Sequence, residues 1–123
     1  MKKIFLIFST LLILTLQGCH EKTKLWLGQG YGDYQKALQM KASIQSSQIE
    51  RSSPNDEINQ QILKLFLAAK SDFDKVIKAE PKNAKAYYYR ALVQKELNQK
   101  ELALKDAKIA CGLSYNAACR FEK

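Results

Sequence analysis

Between Pro54 and Ala79 apolar residues recur at every third or fourth place: Ile58, Ile62, Leu65, Phe66, Ala69, Phe73, Val76 and Ile77. That spacing lays one apolar stripe along a helix and predicts an amphipathic helix over 54–79. Its start is marked by Ser53 as N-cap, Pro54 at the first helical position and Asp56 closing a capping box. Its end is marked by Glu80-Pro81, because the residue before a proline avoids the helical region. Two shorter helices are predicted over 84–97 and 100–113. The first stops at Asn98, a residue type that accepts a left-handed turn, and the second near Gly112. Tyr34, Leu38, Ala42 and Ile49 give a weaker helix over 34–50, capped by Asp33 and ended by the break Arg51-Ser52-Ser53-Pro54-Asn55. Tyr115 to Phe121 can form one or two helical turns. No segment alternates with period two over a useful length, so no sheet is expected.

The opening of the chain has another character. Met1-Lys2-Lys3 precedes an apolar run from Ile4 to Leu16, interrupted only by Ser9, Thr10 and Thr15. The run is shorter than the roughly 20 residues of a comfortable membrane span. A basic start, a short apolar run and small residues at its end describe a secretory signal peptide. The run closes with Leu16-Gln17-Gly18-Cys19, which resembles the lipobox of bacterial lipoproteins at Leu16, Gly18 and Cys19, with Gln17 the less usual residue. The resemblance implies removal of residues 1–18 and acylation of Cys19, palmitate included. It favours the outer membrane where the organism has one, since His20 and not an aspartate follows the cysteine. The alternatives are an uncleaved anchor and ordinary secretion. Residues 19–32 then read as a lipidated tether, because Gly28, Gly30 and Gly32 break regular structure. The glycine run also looks superficially like a phosphate-binding loop. No predicted strand precedes it and no Gly-Lys-Ser/Thr follows, so nucleotide binding is excluded.

Length and composition narrow the class. The 123 residues suffice for one small domain, and two prolines and five glycines rule out collagen and Pro/Gly-rich disorder. The chain carries 20 Lys plus Arg against 12 Asp plus Glu, a formal +8. Loss of Lys2 and Lys3 with the leader leaves 18 against 12, or +6. Most of the excess lies after residue 81, with nine bases against four acids. Basic charge raises nucleic acid as a partner, but an exported, anchored protein meets little of it. Anionic lipid headgroups or an acidic protein suit it better, beside the plain reading of solvated helix faces.

Residues 84–113 combine small and large residues as two closely packed antiparallel helices require. Ala91 on the first and Ala103, Ala107 and Ala110 on the second permit close approach, with Tyr87 and Leu97 filling the space beside them. The pattern resembles a tetratricopeptide repeat, a helix-turn-helix unit of about 34 residues. Tyr87, Ala91, Ala103 and Ala110 fall at its large and small positions, and Pro81 at the close of the preceding repeat. Ala69, Phe73 and Val76 match the second helix of that preceding repeat, and Gly32-Asp33-Tyr34-Gln35-Lys36-Ala37-Leu38 looks like the turn and second helix of a further one. Asn98 and Lys100 replace the usual turn glycine and aromatic, and no separate first helix precedes residues 54–79. The resemblance implies an all-α fold of antiparallel helix hairpins over residues 33–123, with the best repeat at 84–117.

The run from Ala110 to Cys119 resembles the junction in Sel-like cousins of this repeat, and that resemblance implies a disulfide between Cys111 and Cys119. An exported chain lies in an oxidising compartment, and acylated Cys19 leaves these two as an even pair. Two reduced thiols in a core, or a metal or redox pair, are the other readings. The resemblance also places Lys85, Tyr88, Leu92 and Lys95 on a partner-binding groove, the alternative being ordinary surface positions. Tyrosine with basic residues suits a peptide carrying acidic groups or a C-terminal carboxylate.

Catalytic material is thin. His20, the sole histidine, stands beside the anchor; Asp72 and Asp74 point apart on a helix; Glu96 and Glu101 flank a turn. No catalytic residue, metal site or cofactor is expected. The sequence therefore reads as a non-catalytic, lipid-anchored envelope protein facing the periplasm or cell exterior. Its expected role is protein–protein interaction, as an adaptor or assembly factor for an envelope complex. The alternative is a structural subunit or dimerising component of a secretion- or pilus-type apparatus. The expected partners are another envelope protein or peptide and the membrane, with no nucleic acid.

Overall fold

A computed structural model describes the backbone of residues 2–46 and 54–121, and the side chains of residues 18, 20–46 and 56–121. The described residues form four α-helices, α1 (Lys2–Ser46), α2 (Pro54–Ala79), α3 (Ala84–Glu96) and α4 (Lys100–Gly112), followed by a short 3₁₀ turn, Ala118–Arg120. No strand occurs among the described residues. The fold is all-α. It consists of two antiparallel hairpins, α1–α2 and α3–α4, stacked through α2 and α3, with α1 running parallel to α3. The predicted cap at Ser53 and the break around residue 51 lie outside the described residues.

The boundaries of α3 and α4 follow from local chemistry. Asn83 accepts from the Ala86 amide at 3.1 Å and caps the start of α3. At its end Asn98 takes a left-handed conformation, φ 63°. Its amide donates to Lys95 O at 3.1 Å and that of Gln99 to Gln94 O at 2.8 Å, a Schellman closure made without glycine. Ser114, φ 68°, repeats the arrangement after α4, with bonds from Ser114 N to Cys111 O and from Tyr115 N to Ala110 O.

The first helix departs from expectation. Residues 20–32 are not an irregular tether, and Gly32–Leu38 holds no turn leading into a second helix; both stretches lie inside the one helix α1. Gly28 and Gly32 face open space, but Gly30 is buried against α2. A Cβ there would lie 3.0 Å from Phe73 Cε1 and 3.2 Å from the Ala69 carbonyl oxygen. A glycine inside a helix costs about 0.5–1 kcal/mol relative to alanine. At Gly30 that cost permits close contact between α1 and α2. Helix α1 is thus the first helix of the upstream hairpin, which the sequence reading did not find.

The main core lies among α1, α2 and α3, from Tyr34 and Ala37 through Ile62, Phe66, Ala69 and Phe73 to Val93. A smaller cluster of Ala91, Ala103 and Ala107 joins α3 to α4, and Phe121 packs against it. Arg90 bridges the hairpins. Its Nε and Nη2 donate to the two oxygens of Asp106 at 2.7 and 2.8 Å, and its Nη1 donates to Asp74 at 2.7 Å. These bonds, those to Asp106 first, hold the guanidinium pKa above its ordinary value against the opposing effect of burial. Gln94 is also buried, and its Oε1 has no hydrogen-bond partner among the described residues.

Candidate functional site

Because α1 runs beside α3, the two helices enclose an open groove of about 400 Å³ lined by Lys24, Leu27, Gly28, Tyr31, Lys85 and Tyr89. Its floor is aromatic. The Tyr31 and Tyr89 ring centres lie 5.0 Å apart, and Tyr89 stacks on buried Phe73 at 5.8 Å. Lys85 Nζ stands 5.9 Å from the centre of the Tyr89 ring. Burial first, with a hydrogen bond to Tyr115 adding to it, pushes the Tyr89 hydroxyl pKa up, so at neutral pH the ring keeps a neutral hydroxyl. Gly28 leaves the α1 wall bare opposite this floor. An aromatic floor between two cations suits an extended segment that offers a carboxylate and an apolar side chain.

The four residues assigned to the groove from sequence share one face of α3 but have separate surroundings. Lys85 lines the α1–α3 groove. Leu92 is half-buried against the main core. Tyr88 turns to the C-terminal segment, its ring centre 4.9 Å from that of Tyr115 and 6.4 Å from that of Phe121. Lys95 Nζ stands 5.7 Å from the Phe121 ring. Tyr88 is therefore a contact for the end of the chain and not the free ligand-facing ring expected of it. The sequence reading missed Lys24, Leu27, Tyr31 and Tyr89. The signal was present: Thr23, Leu27, Gly30, Tyr34 and Ala37 keep helical spacing straight through the glycines.

Cys111 and Cys119 are joined by a disulfide with Cα atoms 4.9 Å apart, which pins the 3₁₀ turn to the end of α4. The side chain of Cys19, the candidate lipidation site, lies outside the described residues. Three of the four acids singled out from sequence, Asp72, Asp74 and Glu96, are paired. Asp72 accepts from Lys75 at 2.7 Å, Glu96 from Lys41 at 2.6 Å, and Asp74 from Arg90 and, at 3.1 Å, from Lys70. Among the described residues no group of three or more His, Cys, Asp or Glu could hold a metal ion. Among them, too, no helix is long and apolar enough to cross a membrane.

No curated protein and no solved structure matches the chain. The family model of the tetratricopeptide repeat matches residues 73–105, from the second half of α2 through α3 into α4. Repeats of this kind generally bind protein partners along the surface that their first helices form. The chain is a tetratricopeptide-repeat-like protein, built of the helix hairpins of that fold and similar to the repeat itself over those residues.

Proposed function

We propose that this is a lipid-anchored envelope protein whose helical domain binds another envelope protein, as an adaptor or assembly factor. The observation that carries the reading is the open groove between α1 and α3, with Tyr31 and Tyr89 as its floor and Lys24 and Lys85 at its rim. The segment that fits it is extended and carries an acidic side chain or a terminal carboxylate. The anchor is the lipid on Cys19, read from the resemblance of Leu16–Cys19 to a lipobox. The stretch around Cys111 and Cys119 corresponds on this reading to the junction of the Sel-like repeats.

The test is a mild-detergent pull-down of the tagged, full-length protein from its own membranes, beside a Tyr31→Ala/Lys85→Gln variant of unchanged helicity. A stoichiometric envelope protein recovered with the parent and lost with the variant is expected. Recovery of the bait alone, or of the same partner with both, discards the groove. A second reading, a structural subunit, has its own observation. Leu63 and Leu67, one turn apart on α2, are each about half exposed (48% and 49%), apolar area that an adjoining subunit would cover. Concentration-dependent association abolished by Leu63→Gln/Leu67→Gln would favour it.

A further inference from the structure

The start of the described part of α1 is locked to the turn between α2 and α3. His20 Nδ1 lies 3.3 Å from Glu80 Oε1, and the buried Thr23 hydroxyl donates to the same oxygen. Asn83 Nδ2 donates to the other Glu80 oxygen at 2.8 Å. Helix α1 then leads away from this end, and its Lys41 meets Glu96 at the opposite end of α3. Cys19 is the residue before His20, and residues 4–16 precede it. Whether the anchor is an acylated Cys19 or the uncleaved apolar run, the bilayer meets the domain at this same end, with no slack chain between them.

Around that end stand five exposed lysines: Lys22 and Lys24 on α1, Lys78 at the close of α2, Lys82 in the turn and Lys85 in the first turn of α3. They outnumber the acids there, Glu21 and Glu80. The Glu80 carboxylate is already occupied by Thr23, Asn83 and His20. At ~1.5 Å per residue, Lys22 and Lys24 lie within about 8 Å of Cys19 along the helix axis. That is about one Debye length at physiological ionic strength, so headgroup charge reaches them.

We propose that this end of the domain rests on the membrane surface and that its lysines bind anionic lipid headgroups. The proposal rests on the anchor reading for where the bilayer lies, and on the lysines for the interaction itself. A slack tether would let every face meet the membrane. The Thr23–Glu80–Asn83 lock selects one. Each lysine held near an anionic surface shifts the partition about fivefold, and salt screens the effect.

The test uses the full chain purified from its own membranes and reconstituted into vesicles of phosphatidylcholine, alone or with one-third phosphatidylglycerol. A water-soluble amine-acylating reagent is applied, and labelling of each lysine is read by peptide mass spectrometry, with Lys64 and Lys100 as internal references. Labelling of Lys22, Lys78 and Lys82 is expected to fall severalfold on anionic relative to neutral vesicles and to recover in high salt. A Lys22→Gln/Lys78→Gln/Lys82→Gln variant is expected to lose the remaining protection at Lys24 and Lys85. Equal labelling on both vesicles overturns the proposal. Protection found in native membranes but absent from anionic vesicles that hold no other protein also overturns it, in favour of an acidic protein. Flotation on neutral vesicles reads the anchor separately. A chain that does not float there has lost its anchor reading, while labelling with anionic vesicles still decides the lysines.

Discussion

Arg90 is a polar residue whose loss should cost the domain heavily. Both oxygens of Asp106 accept from it, and Asp106 is only 4% exposed. Arg90→Ala therefore leaves a carboxylate buried without its counter-charge. Breaking a buried pair from one side costs about 3–5 kcal/mol, because the remaining charge is uncompensated. Asp74 fares differently: its side chain is 43% exposed and Lys70 still donates to it. Asp74→Ala should cost no more than about 1 kcal/mol. At ~4–8 °C per kcal/mol for a domain of this size, Arg90→Ala should lower Tm by at least about 12 °C. The assay is thermal and urea unfolding followed by circular dichroism under non-reducing conditions. Replacing both partners, as in Arg90→Met/Asp106→Leu, should restore much of the loss, since no charge is then stranded. An Arg90→Ala variant within about 1 kcal/mol of the parent would refute the reasoning, as would a double variant no more stable than the single.

Gly30→Ala should destabilise, because its Cβ meets buried Phe73 and the Ala69 carbonyl, whereas Gly28→Ala and Gly32→Ala should stabilise by up to about 1 kcal/mol; urea midpoints read both. Cys111→Ser should lower stability under non-reducing conditions by about 2–3 kcal/mol, and equal midpoints would count against a structural role for the bond. Hydrogen bonds from Thr23 first, then Asn83, hold the Glu80 pKa below its ordinary value near 4.5. Its contribution is thus present above that value and lost as pH falls below it, so Glu80→Gln should flatten the acid limb of the stability curve. Burial first, then the charge of Glu96, pushes the Tyr34 pKa up to about 12. Its contribution should hold below pH 10 and be lost as pH rises toward 12, with Tyr34→Phe removing that step from an ultraviolet titration of unfolding.

Helices α2, α3 and α4 were legible because their ends are written locally. Pro81, Asn83, Asn98 and the apolar stripe of α2 each act within a turn of their own position. Helix α1 was not, for a physical reason. Three glycines at every second position read as a breaker, yet only the tertiary contact of Gly30 with Phe73 explains the central one. With α1 missing, Lys85 had no opposite wall, and Tyr31 and Lys24 passed as tether residues. Tyr88 failed for a related reason. The repeat resemblance put it on the groove, but its neighbours Tyr115 and Phe121 return from a later part of the chain, which the repeat pattern of α3 does not encode.

Two hairpins are fewer than the three repeats such a stack usually needs to bury its ends. The segment after α4 adds cover to the second hairpin. The small residues Ala91, Ala103 and Ala107 bring α3 and α4 close together, and Phe121 packs against them. Tyr115 covers Tyr88 beside it, and the Cys111–Cys119 bond holds the segment in place. This cover meets α3 through Tyr88 and Lys95, and its Tyr115 also hydrogen-bonds to Tyr89, so the cover and the groove share that residue while Lys24, Tyr31 and Lys85 belong to the groove and not to the cover. Lys24 and Lys85 border the groove and also belong to the locked end carrying the five lysines. On the proposed anchoring, a partner segment seated over Tyr31 and Tyr89 lies close to the bilayer surface. A carboxylate in that segment would then compete with lipid headgroups for the same two ammonium groups, which makes partner binding weaker on anionic than on neutral membranes.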